Sequence, residues 1–571
     1  MEKRNRWSCV VSLLIFSVVV QIPFLQKAFH IDDNIYLMVA ENLYTHSWFP
    51  QDLHTYFEGL RVESFISHEH PLLLSSVLLA PATAVSVRPE LTAHVTYLIF
   101  FLLLVLSIFL LCESSEIGWM AAALTAVSPV VFVSSHSLMS DLPYVALVYV
   151  ALVLVVVSNR GFPGSTRSWM LLCAGLSCAA AAMFAYQAVF FVPVVYWAAC
   201  GGLAHNVRIR LRFAAFWTRY VASKSDAARR VSTPENVQTR KARVASEPRP
   251  DMTRRDHRAG QIWIWALPLT ILFAYAAINS VYFGRFIWWD LFVFWHQQPV
   301  SAGGLWAKLT YSLLTLLGAI TFPLAWVVLL SRKTVESGPP APPDRTNALL
   351  IALVVVTFFM ILFVYHIGTA RYLLPAAPAI CIFMVSRMRA VVRHLARRIA
   401  WFAALFGLTA GVSFSLASAD SEWAAFYRDA ASVVSEYQHQ GTKVWIAGEW
   451  GFRWYFRREG GIVLGRADNR PLRGDILIRP KLASPYLTAY DRFPNALELE
   501  KVIQYRPSLP VRLLDFDSHA GFYSSGWGLL PYSVNLSDKA LEEILIYRVK
   551  KPVPAPAREP TYWDWNKPNS E

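Results

Sequence analysis

The chain opens "MEKRNRWSCVVSLLIFSVVVQIPFLQKAFHIDDNIYLMVAENLY" (residues 1–44). A basic start leads into an apolar run over 7–27, and two adjacent acids follow it, Asp32 and Asp33. No small-residue cleavage site comes after the run, so it reads as an uncleaved signal-anchor span. Neighbouring carboxylates repel each other, and a membrane boundary is a costly place to desolvate them. One Asp ahead of "NIYLMVAENL" caps a helix, satisfying orphan N–H groups and favouring the helix dipole. The second is surplus to that task. Carboxylates at an interface also suit a general base or a divalent cation, through their hard oxygens.

Composition sets the class. Apolar residues make up 55% of the 571 residues and charged residues only 16%, against roughly 25% charged in a soluble domain. This is the make-up of a polytopic membrane protein with a soluble appendage. The net charge of +14 does not imply a nucleic-acid partner, because Lys and Arg collect in the cytoplasmic loops of membrane proteins. The six cysteines lie in or beside apolar runs and none follows Cys381. The C-terminal part therefore has no disulfide framework, and no CxxC metal pair occurs.

Twelve apolar runs are candidate spans: 7–27, 71–87, 92–112, 118–136, 142–157, 168–185, 187–204, 261–282, 305–330, 347–366, 372–386 and 399–418. The segment 205–260 is strongly basic, with roughly fourteen Lys and Arg against five acids, and belongs on the cytoplasmic side. So do "RMRAVVRHLARR" (387–398) and the N-terminus. Twelve crossings would put 205–260 outside. The run 71–87, "PLLLSSVLLAPATAVSV", is short and holds Pro71 and Pro81. Read as interfacial or re-entrant, it leaves eleven spans and every strongly basic loop inside. The first loop (28–91), residues 137–141, the break near 186, 283–304, 367–371 and everything after 418 then face outside. Residues 419–550 read as a small α/β domain, with "TKVWIAGEW" and "GDILIRP" as strands and "SEWAAFYRDAASVVSEYQ" as helix. "EEILIYRV" fits a strand or a helix end. The Pro-rich segment 551–571 reads as a disordered tail.

This topology gathers the unusual polar groups on one side. Asp141, in "SSHSLMSDLPY", suits either a cap or a site, with Pro143 early in the next helix. "ISHEHPLL" (66–73) sets His68, Glu69 and His70 before Pro71, either as solvated loop polarity or as metal donors. Arg371, in "HIGTARYLLPAAP", stands outside against the positive-inside trend. It is a snorkelling anchor with Tyr372 or a reader of phosphate. Gln187, in "MFAYQAVFF", sits between two apolar runs.

In their order, "IDDNIYLMVAENL", "HEHPLLL", "SSHSLMSDLPY", "FAYQAVFFVP" and "TARYLLPAAP" resemble the GT-C membrane glycosyltransferases, in particular bacterial members akin to protein O-mannosyltransferases and aminoarabinose transferases. The resemblance spans about residues 7–420 and rests on order and spacing. It implies an α-helical polytopic GT-C module (1–418) with an extracytoplasmic α/β domain, in a bacterial plasma membrane. It implies transfer of a sugar from a polyprenyl-phosphate donor, with inversion, to an acceptor that is protein, lipid or glycan. By it, Asp32 corresponds to the catalytic acid and Asp33 to the second member of the pair. Asp141 and Glu69, with Asp32, correspond to acids near a divalent metal. His70, Gln187, Arg371 and Tyr372 meet the substrate. Where relatives carry Lys, this chain has His70 and Gln187, which shifts the burden of phosphate charge onto Arg371. Two other classes compete: a transporter or flippase of lipid-linked sugars, and a non-catalytic receptor or scaffold. Transporters usually show internal repeats and mid-membrane polar groups. Neither is evident in this sequence.

Overall fold

A computed structural model describes residues 2–44, 49–62, 70–84, 86–112, 114–159, 164–200, 252–284, 286, 288–289, 304–323, 326, 345–365, 367–392, 394–483 and 486–554. The basic loop 205–260 falls mostly outside these residues, as do Glu69 and most of the Pro-rich tail.

In a bilayer each backbone polar group must find its partner within the chain, so the apolar runs fold as helices. The first is α1 (Glu2–Gln21). Within the first loop lie α2 (Asp33–Asn42), a short hairpin of β1 (Thr55–Phe57) and β2 (Leu60–Val62), and α3 (Leu73–Ala84). Next come α4 (Pro89–Leu111), α5 (Ser115–Ala126), α6 (Pro129–Ser134), α7 (Asp141–Ser158), α8 (Gly164–Phe184) and α9 (Val192–Ala199). The series continues with α10 (Met252–Phe283), α11 (Gly304–Ala319), α12 (Arg345–Phe363), α13 (Ala377–Val391) and α14 (Leu395–Ala430).

Among the described residues six helices, α1, α4, α7, α8, α10 and α14, contain segments long and apolar enough to cross a membrane. Several expected spans are shorter or broken. At 12 residues, α3 is about 18 Å long, too short for a hydrocarbon core of roughly 30 Å. The run 118–136 is two helices, divided before Pro129, which has no N–H to continue the ladder. The run 187–204 begins as a 3₁₀ segment, Tyr186–Phe191, before α9.

With 36 residues, α14 is about 54 Å long, well beyond the apolar layer. It continues through residue 418 and buries Trp423 and Tyr427 in the core of the C-terminal domain. That domain then forms α15 (Ser432–His439), β3 (Val444–Ile446), α16 (Trp450–Arg458), β4 (Ile462–Val463), β5 (Ile476–Pro480) and β6 (Leu497–Tyr505). After four two-residue strands, β7 (Val511–Arg512), β8 (Leu514–Asp515), β9 (Ala520–Gly521) and β10 (Ser533–Val534), it closes with β11 (Glu542–Val549). The main sheet runs β4-β3-β5-β11-β6. In it β3 lies parallel to β4 and β5, while β11 lies antiparallel to β5 and β6. "EEILIYRV" is thus a strand. Its partner β6, "LELEKVIQY", carries Glu498, Glu500 and Lys501 and forms a charged edge of the kind that discourages further pairing.

The domain is fastened to the first loop through α16. Gly451 faces the Phe29 carbonyl so closely that a Cβ there would stand 2.1 Å from the oxygen. The buried Arg453 donates to Glu449 (2.9 Å), to Thr55 Oγ1 (2.7 Å) and to the Tyr56 carbonyl. Tyr455 donates to Glu90 (2.8 Å) and accepts from the Phe29 N–H (2.9 Å). Arg457 pairs with Glu41 of α2.

Candidate active site

The Asp pair divides its duties. Asp32 holds the N-cap position of α2 but makes no side-chain cap bond. Instead its Oδ2 accepts from Arg371 Nη1 at 3.3 Å, and its side chain keeps 36% of its exposure. Asp33 is fully buried and committed. It accepts from the His30 N–H (2.9 Å), the Leu138 N–H (2.7 Å) and the Ser137 hydroxyl (3.2 Å). Burial pushes the Asp33 carboxyl up to about 6, against the pull of nearby Lys27 and of these hydrogen bonds. Asp33 thus ties the first loop to the segment that leads into Asp141. Just before the pair, Ile31 holds φ at +45°, an outlier for a β-branched residue.

Arg371 joins two carboxylates that are far apart in sequence. It sits on a 3₁₀ turn, Ala370–Leu373, between α12 and α13. Its Nε lies 3.7 Å from Asp141 Oδ2, at the first residue of α7. Among the described residues that Nε has no hydrogen-bond partner. The Met139 sulfur also touches Arg371 Nη1. Tyr372 lies under the guanidinium (5.6 Å to its ring) and stacks on Tyr365 at 3.6 Å. His70 is buried with its ring stacked 6.4 Å from Tyr36, whose hydroxyl reaches Ser140, the neighbour of Asp141, at 3.3 Å. The structure therefore brings together Asp32, Asp141, Arg371 and Tyr372, with His70 close by. Gln187 is buried on the Tyr186–Phe191 turn, and its Oε1 has no hydrogen-bond partner among the described residues. Nothing there links it to the Asp32–Arg371–Asp141 group.

Of the three expected metal donors, Asp32 and Asp141 stand on either side of Arg371. The guanidinium lies between Asp32 and Asp141 and offsets one of their two negative charges. No group of three His, Cys, Asp or Glu converges among the described residues, and Glu69 lies outside them. No step is assigned to a metal.

Behind Asp33 lies a buried network that the sequence reading missed. Lys27 pairs with Asp420 of α14 and donates to the His136 carbonyl (3.1 Å). Tyr523, from the C-terminal domain, donates to Asp420 (2.8 Å), and His30 Nε2 stands 3.6 Å away. Burial holds the His30 imidazole down at about 4, so it is neutral at physiological pH. A lone Lys and a lone Asp, each at the end of an apolar run, were the available signal. Unpaired charge at such a depth is expensive, so each implies a partner.

Fold and site define a class: a polytopic helical membrane protein with a carboxylate–arginine–carboxylate site beside its C-terminal domain. No family model matches the sequence, and no curated protein matches it. Among solved structures it is similar to apo ArnT from Cupriavidus metallidurans, with a TM-score of 0.51 at 11% identity, over 95% of this chain and 98% of that one. ArnT bound to undecaprenyl phosphate gives 0.49 at 10% identity, with the same coverage. The archaeal oligosaccharyltransferase AglB from Archaeoglobus fulgidus, in complex with an inhibitory peptide and a dolichol-phosphate, gives 0.43 at 12% identity over 81% of this chain and 64% of that one.

Proposed function

We propose that the protein is a glycosyltransferase that moves a sugar from a polyprenyl-phosphate donor to an acceptor on the extracytoplasmic face, with inversion. The observation that carries this reading is the geometry of Asp32. It is the partly exposed carboxylate of the group, and it is hydrogen-bonded to an arginine that a second, buried carboxylate also holds. The fold shared with ArnT, a protein solved with undecaprenyl phosphate, supports the donor class.

In this reading Asp32 accepts the proton of an acceptor hydroxyl as the acceptor oxygen bonds to the anomeric carbon. The bond from that carbon to the phosphate oxygen breaks, and its electron pair leaves with polyprenyl phosphate. Arg371 offsets the charge gained by the leaving phosphate. Asp141 orients Arg371, Tyr372 supports the guanidinium plane, and His70 lines the same side. Asp33 positions Asp32 by fixing the turn before α2.

The test uses purified protein in lipid nanodiscs with a set of polyprenyl-phosphate sugars, measuring release of polyprenyl phosphate. Asp32→Asn is expected to lower transfer by at least about 10²-fold with an unchanged unfolding temperature. Transfer by Asp32→Asn at the wild-type rate would remove Asp32 as the base.

A further inference from the structure

We propose that the edge of the C-terminal domain beside the site is a saccharide platform, so that the acceptor is a glycan. This rests on the transferase reading above and extends it to the second substrate. A row of rings leads from solvent toward Asp32. Phe516, 56% exposed, stacks on Trp527 with ring centres 4.1 Å apart and an interplanar angle of 24°. Trp527 lies 6.3 Å from Trp450, and Trp450 lies 6.2 Å from His30, two residues before Asp32. The loop that carries Trp527 is pinned to the Arg371 turn. The Ser525 N–H donates to the Gly368 carbonyl (2.7 Å), and the Ala370 N–H donates to the Phe522 carbonyl (2.9 Å).

Backbone strain collects along the same row. Trp450 holds φ at +59° and His519, in the Trp527 loop, at +57°, while Ile31 stands at the inner end. Residues held in that region cost free energy and persist where surrounding contacts over-determine them, commonly at binding sites.

Beside Phe516 opens a cavity of about 120 Å³, lined in part by Arg512, Asp515, Asn535 and Lys539. Arg512 is 4% exposed, and among the described residues only its Nη1 is hydrogen-bonded, to the carbonyls of Leu509 and Val511. The remaining guanidinium donors are therefore available at the cavity wall. A sugar ring has apolar C–H faces that lie flat on aromatic rings, and a rim of hydroxyls that both donate and accept. Rings beside a cavity of mixed donors and acceptors match both features. A lipid chain would meet charged walls there.

The test is saturation-transfer NMR on the full chain in nanodiscs, with trisaccharides of N-acetylglucosamine, mannose and arabinose as probes and a neutral tripeptide as comparison. At least one trisaccharide is expected to receive saturation and the tripeptide none. Phe516→Ala, at an exposed position, should weaken that binding by about tenfold. Trp527→Phe, which keeps a ring, should weaken it less. The platform is overturned if no trisaccharide binds, if the tripeptide binds as well, or if Phe516→Ala binds like wild type. Saccharide binding without release of polyprenyl phosphate from any donor would defeat the transferase reading and leave the platform standing. Release without saccharide binding would defeat the platform alone.

Discussion

Replacing Arg371 by Met separates its two functions, balancing buried charge and meeting phosphate. The Asp141 side chain is 5% exposed and Arg371 15%. Removing one partner of such a pair strands the other charge, at a cost of roughly 3–5 kcal/mol. Losing the donor to a leaving phosphate lowers kcat by about 10²–10³. Arg371→Met should therefore lower both the unfolding temperature and transfer. The double variant Arg371→Met, Asp141→Asn removes the stranded charge. It should recover most of the stability and none of the transfer. Arg371→Lys keeps the charge but loses the planar fork that spans Asp32 and Asp141, so it should retain more stability than Met and still transfer poorly. The assay pairs release of polyprenyl phosphate with thermal unfolding, both in nanodiscs. If Arg371→Met transfers within about threefold of wild type, a loss worth under 1 kcal/mol, Arg371 does not meet the phosphate. If the double variant is no more stable than the single one, Asp141 and Arg371 do not balance each other.

Three further outcomes follow from the surrounding structure. Asp33→Ala strands two buried N–H groups, those of His30 and Leu138, at about 1–3 kcal/mol each. It should lower the unfolding temperature more than Asp33→Asn, and equal stability of Asp33→Ala and wild type would contradict its anchoring role. Gly451→Ala places a Cβ 2.1 Å from the Phe29 oxygen and should speed hydrogen exchange at the Phe29 amide, which Tyr455 holds in the wild type. Unchanged exchange there would mean that the junction tolerates the added methyl. In the C-terminal domain Glu542 is buried, and its carboxyl is pushed up to about 7 by that burial, against the hydrogen bonds it accepts from Tyr427 and the backbone. A carboxyl raised on folding favours the folded state least once it ionises. Its penalty starts as pH rises past the unfolded value near 4.5 and is complete above 7. Thermal unfolding should show this contribution falling between those limits, with a shallower slope in Glu542→Gln. An identical slope would exclude Glu542 as its source.

The fold class was legible because a bilayer imposes its demand on long stretches of chain. Runs such as 92–112 and 142–157 had to become helices, and α4 and α7 are those helices. Breaks inside runs were harder to read, because a single Pro129 decides between one helix and two. The charged edge strand β6 alternates only over "LELE", and Lys501 then interrupts its apolar positions. The candidate site was half legible. Asp32, Asp141, Arg371 and Tyr372 stood out as costly groups at the ends of apolar runs, and they converge. Lys27, Asp420 and Tyr523 were as costly, but each partner lay hundreds of residues or a whole domain away.

The sequence by itself determined that this protein lives in a membrane and which of its polar residues demand a reason. Hydropathy and charge act locally, on each stretch of about twenty residues. The tertiary structure alone decided which reason each residue has. Asp32 and Asp33 are chemically identical neighbours in the sequence. They part only when Arg371, 339 positions away, meets one of them, and the backbone of His30 and Leu138 encloses the other. Solvent exposure and partners define what a carboxylate can do, and both are properties of the packed chain.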